Sequence, residues 1–140
     1  MGKYTNVARR FSNGIVVVNT TPHPLSFLSP EGEKVVVPTS VPAGERTGFA
    51  VLNAKAVETE VAPHLVRTRF EGTDEGERIL DEICQEFSAD YEEGRLFIVG
   101  SLVAANAYHR VVGMVPAPGY ERVPPDQKLM STEKFNAGEA

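Results

Sequence analysis

Residues 96–108 read LFIVGSLVAANAY. Four strand-forming residues run into Gly100-Ser101, and a stretch of small and aliphatic helix formers follows. Such a junction can hold a nucleophilic serine, turn backbone N–H groups toward an anion, or simply cap a helix. The strained elbow that exposes a nucleophilic serine needs glycines two residues to either side, and those positions are Val99 and Val103. Ser101 therefore reads as an N-cap, a place where serine is strongly preferred, and no catalytic residue is expected. What remains open at the junction is anion binding by the first turn of the helix, whose unpaired N–H groups and dipole favour negative charge.

Working outward, Ile79, Leu80, Ile83, Phe87 and Tyr91 recur at spacings of three and four, which predicts one long helix over 73–93. Asp74 and Glu77 form a variant capping box at its start, and Gly94 is its stop. Ahead of it, 14–70 reads as an antiparallel β meander: IVVVN at 15–19, a hairpin around Pro30-Glu31-Gly32, a turn in VPAGERTG, and extended segments at 57–61 and 64–70. Residues 1–13 read as a loosely ordered arm, 95–115 as strand, short helix and strand, and 116–140, with four prolines within 116–125, as an extended tail. The expected fold is α+β in a single domain spanning 1–140. Ala104, Ala105 and Ala107 leave the short helix thin enough for close approach by a second element, and a long tail gains order on a partner surface. A homodimer is expected.

The 140 residues suit one ordinary core. A formal charge of -5 argues against duplex nucleic acid as a partner. Cys84 is the single cysteine, so neither an internal disulfide nor a multi-cysteine zinc site can form. With no signal-like segment and no apolar run of membrane-spanning length, a cytoplasmic protein away from membranes is expected. His23, His64, His109 and Cys84 lack the i, i+3 or i+4 spacing that puts two ligands on one helix face, so no metal and no cofactor is expected.

Anion binding gathers further donors. Arg67 and Arg69 lie two apart on one strand face, Asn106 is on the short helix, and Arg122 is in GYERVPP. The guanidinium fork matches phosphate, and Phe97, Tyr108 and Tyr120 offer rings on which a base could stack. Two readings stand at this point. Either these groups surround an anionic ligand, or the arginines pair with the carboxylates of the long helix while the aromatics fill the core.

The order of the pieces resembles a known group. VVVNTTPHPLSFLSPEGE at 16–33 resembles the N-terminal hairpin of small phage and prophage proteins with an N-x-TPHP motif. PAGERTG at 42–48, FIVGSLVAANAY at 97–108, VPAPGYERVPPDQK at 115–128 and the closing Lys134-Phe135 are similar to that group as well. Among such proteins the chain most resembles the Thoeris anti-defence sponges, phage proteins that sequester cyclic ADP-ribose signals without cleaving them. The resemblance implies a non-enzymatic homodimer, or a higher oligomer, acting in the host bacterial cytoplasm. Its two pockets would be built from both protomers, with an aromatic on the adenine, an asparagine, and arginines on the phosphates. Phe97, Asn106, Arg122 and one of Arg67 or Arg69 match in type and order. A second site for cyclic oligonucleotides would use Arg46 and Thr47. The arm before Ile15 has no counterpart in that pattern. Two other functions compete with this one: a small nucleotide-cleaving hydrolase, with His109 or Asp126 as base, and an accessory protein acting through protein contacts.

Overall fold

The computed structural model describes residues 2–138. Among them nine strands dominate: β1 (Ala8–Arg10), β2 (Val16–Asn19), β3 (Leu25–Leu28), β4 (Lys34–Val37), β5 (Ala54–Ala62), β6 (Leu65–Gly72), β7 (Leu96–Val99), β8 (Val111–Pro116) and β9 (Met130–Ala137). Three short helices interrupt them: α1 (Asp74–Glu86), α2 (Ser88–Glu92) and α3 (Leu102–Ala107). Seven strands form one sheet in the order β1-β2-β7-β8-β9-β3-β4, while β5 and β6 pair only with each other. None of the helices among the described residues is long and apolar enough to cross a membrane.

This overturns the expected meander followed by one long helix. β2 pairs in parallel with β7, β7 in parallel with β8, and β3 in parallel with β9, and two of these pairings, β2–β7 and β3–β9, join strands remote in sequence. Val16-Val17-Val18 and Leu96-Phe97-Ile98-Val99 are continuous apolar runs because each strand is covered on both faces, as parallel strands usually are. Alternation along them separates two cores. Val16, Val18, Ile98 and Val111 face α1 and the N-terminal segment, packing with Ile79, Leu80 and Ile83. Val17, Val99, Phe27 and Val37 face inward into a nearly closed, barrel-like sheet. Inside it Phe11 packs on Phe27 at 5.1 Å between ring centroids, Phe27 on Phe135 at 6.3 Å, and Phe135 stacks on Phe97 at 4.7 Å.

The barrel closes through a polar side chain. Asn19 ends β2, is fully buried, and donates through Nδ2 to the carbonyls of His23 (2.8 Å), Pro38 (3.1 Å) and Val37 (3.2 Å). Its Oδ1 accepts from Thr21 N at 2.8 Å and Thr21 Oγ1 at 2.7 Å. Val37 ends β4, so one amide ties β2 to the far edge of the sheet while folding the TPHP turn onto itself.

The expected long helix is two helices. The backbone leaves helical geometry at Phe87 (φ -108°, ψ 39°), after which α2 runs for five residues and Gly94 ends it with φ +73°. The turn is held by Asp90, whose carboxylate accepts from Arg10 Nη2 at 3.0 Å and from Arg95 Nε and Nη2 at 3.2 and 3.1 Å. The cap of α1 lies one residue before the expected box: Thr73 Oγ1 accepts from Gly76 N at 2.9 Å, and Asp74, Glu75 and Glu77 complement the dipole from the first turn. The extended proline-rich tail is also corrected. Beyond the prolines, Met130–Ala137 forms β9, an interior strand between β8 and β3. The N-terminal segment is packed as well: Tyr4, Val7 and Phe11 are buried, and Tyr4 Oη donates to Glu82 at 2.6 Å. Burial and the Glu82 carboxylate raise the Tyr4 phenol above its ordinary range.

Candidate functional site

Gly100 and Ser101 sit where β7 leaves the sheet. A Cβ on Gly100 would press on Val111 and crowd Ala104 and Thr20, so glycine here allows three elements to meet. Ser101 Oγ accepts from Ala104 N at 3.2 Å and caps α3. Thr20, just past the end of β2, donates through Oγ1 to Val99 O at 2.7 Å, which pins the β2 and β7 ends together. The ends of parallel strands, where the chain departs in different directions, are a recurring place for ligand crevices.

A cavity of about 890 Å³ opens there. Its walls are Thr21, Pro22 and His23 from the turn after β2, Gly100, Ser101 and Leu102 from the junction, Ala105 and Asn106 from α3, and Leu25 from β3. Gly113 and Met114 of β8 and Met130, Asn136, Ala137 and Gly138 on and beside β9 complete it. The size lies within the usual range for small-molecule sites, as does the mixture of apolar wall with a few polar groups. Its polar side chains are those of Thr21, His23, Ser101 and two asparagines; none of the lining residues is Lys or Arg.

Of the residues expected from sequence to contact a ligand, Asn106 lines this cavity. The others lie elsewhere. Phe97 is inside the barrel, stacked on Phe135. Tyr108 is buried: its Oη donates to Asn53 O at 2.6 Å and accepts from Thr73 N at 2.8 Å, and its ring fills space that a Cβ on Gly72 or Gly76 would occupy. It joins the start of α1 to the root of the β5–β6 ribbon. Arg67 and Arg69 are exposed on β6, Arg69 with Glu71 at 2.9 Å. Arg122 is exposed and Tyr120 half-buried in the loop before β9, and Arg46 and Thr47 are exposed in the turn after β4.

Several other arginines are engaged in ion pairs. Arg110 binds Glu77 and Asp81, each at 2.8 Å, across the open face of α1, and Arg78 bridges Glu75 and Glu82. The Arg78 guanidinium lowers the Glu75 carboxyl below its ordinary range, and the Tyr4 hydroxyl does the same for Glu82. Burial pushes the Cys84 thiol up, which suits a packed thiol rather than a reactive one. Among the described residues no group of three His, Cys, Asp or Glu side chains is placed to hold a metal ion.

The sequence offered Asn106 and the Gly-Ser step but missed Asn136, Met114 and Met130, which reach the same cavity only through the parallel pairing of β9 with β3 and its antiparallel pairing with β8. His23 had a local signal, the TPHP turn beside it. No protein-family model, curated protein or solved structure matches the chain.

Proposed function

We propose that this chain is a non-enzymatic binding protein that sequesters a cyclic nucleotide signal of the cyclic ADP-ribose type, the role implied by its resemblance to phage anti-defence sponges. The observation that carries the binding reading is the cavity at the ends of β2 and β7, where apolar walls are interrupted by Ser101, His23, Asn106 and Asn136. Asparagine amides suit the donor and acceptor edge of an adenine. The cavity supplies no guanidinium of its own, so charge for the pyrophosphate would come from a second protomer, with exposed Arg122 as a source. Capture of a sub-micromolar signal needs on the order of 10 kcal/mol.

A ligand present at about a hundredfold above its Kd stabilises the folded state by about 2.7 kcal/mol. For a chain of this length that is a rise in Tm of roughly 5–10 °C. Cyclic ADP-ribose isomers and cyclic oligonucleotides are the panel to test. The expected result is a shift with at least one of them that shrinks or disappears in Asn106→Ala; no shift from any member sinks the reading.

One observation favours a second reading, hydrolysis of the same ligand: His23 and Ser101 line one cavity. Incubation with the shifting nucleotide followed by heat denaturation separates the two. Sequestration returns the ligand intact, and hydrolysis returns product.

A further inference from the structure

The β5–β6 ribbon leaves the body of the protein at Asn53 and returns at Thr73, and nearly all of its residues are exposed on both faces. Only its root lies against α3. An isolated two-stranded hairpin is marginal in water, and ordering it costs backbone entropy that no core contact offsets over most of its length. Yet it carries apolar side chains into solvent, among them Val61, Leu65, Val66 and Phe70.

The register sorts its charges. Directly opposed residues share a face of a ribbon. The pairs Lys55–Glu71, Val57–Arg69 and Thr59–Arg67 put three cations and one carboxylate on one face. Ala56–Phe70, Glu58–Thr68 and Glu60–Val66 put two carboxylates and no cation on the other. The ribbon is thus basic on one side and acidic on the other, with both strand edges open.

We infer that this ribbon is an assembly arm whose partner is a second copy of the chain, the basic face of one ribbon docking on the acidic face of the next. A twofold contact would bring a face against itself, like charge on like. The complementary contact is head-to-tail, and repetition of such a contact closes into a ring when the rotation allows. Each face spans about eight residues of two strands, roughly 27 by 10 Å, well under the about 800 Å² per partner of a standard stable interface. The assembly is therefore held in large part by charge and yields to salt. The inference does not rest on what the cavity binds.

The test is sedimentation velocity on the full chain over a concentration and salt series. Wild type is expected above monomer mass at low ionic strength and to fall toward monomer as salt rises. Arg67→Glu/Arg69→Glu makes both faces acidic, Glu58→Lys/Glu60→Lys makes both basic, and each variant alone is expected to be monomeric with an unchanged circular dichroism spectrum. An equal mixture of the two is expected to reassemble. A monomeric wild type overturns the inference, as does an assembly indifferent to charge reversal or a mixture that stays monomeric. Retention of duplex DNA by wild-type monomer, lost on Arg67→Glu/Arg69→Glu, would overturn it in favour of a nucleic-acid arm.

Discussion

Asn19, itself fully buried, makes five hydrogen-bond contacts with one side chain, three of them wholly buried. Its two amide protons are shared among three carbonyls in two segments, His23 in the turn after β2 and Val37-Pro38 at the end of β4, and its oxygen takes both donors of Thr21. Only an amide offers both halves of that arrangement. Asn19→Asp keeps the acceptor but points a second oxygen at three carbonyl dipoles in a buried site. We expect it to cost about 3 kcal/mol or more, seen as a drop in the urea midpoint with the Tm falling in step. A variant within about 0.5 kcal/mol of wild type would show that closure does not depend on this side chain. The sequence advertised the residue through N-x-TPHP, but as part of a motif and without a target. The carbonyl of Val37, 18 positions away, is brought to it by the β3–β4 hairpin.

Between elements, Asp90 is the junction of β1, α2 and the start of β7. Arg10 comes first in lowering its carboxyl below the ordinary range, with Arg95 adding to it against partial desolvation. Because the folded-state value is the lower one, the contribution is present above the unfolded carboxylate value and is lost as pH falls through the folded one. The Tm of wild type is expected to decline across that acidic window, and Asp90→Asn to be less stable near neutrality and flatter below it. Identical slopes for the two proteins would remove Asp90 from the account of acid sensitivity. The helical period of Ile79, Leu80 and Ile83 was legible because it is local, and so was the stop at Gly94. The break at Phe87 was not, since Phe87 and Tyr91 continue the spacing, and one of the groups that fasten α2, Arg10, lies 80 residues away. β9 was hidden for a related reason. Ser131 and Thr132 are buried polar residues that blur its alternation, and the prolines at 124 and 125 pointed to a tail. The site shared that fate: Asn106 could be named from its helix, whereas Asn136 is its neighbour in the cavity wall only after β9 is in place.

At the scale of the molecule, β9 is the strand that makes the sheet one object. β3 and β4 reach the remaining strands through β9 and through the amide of Asn19. Truncation after Lys128 is expected to abolish the single cooperative urea transition, leaving a shallow change with a reduced m-value. A truncated chain with wild-type cooperativity would show that the β3–β4 hairpin is held by other means. The register Val16–Leu96 and Phe27–Met130 has a further consequence in time. Contacts so remote along the chain fold slowly, and during synthesis they cannot form in the order in which the strands emerge. β2, β3 and β4 leave the ribosome early and wait with unpaired edges until β7 and then β9 have been made. The half-made chain, with open strand edges on offer to any neighbour, is the species most exposed to aggregation.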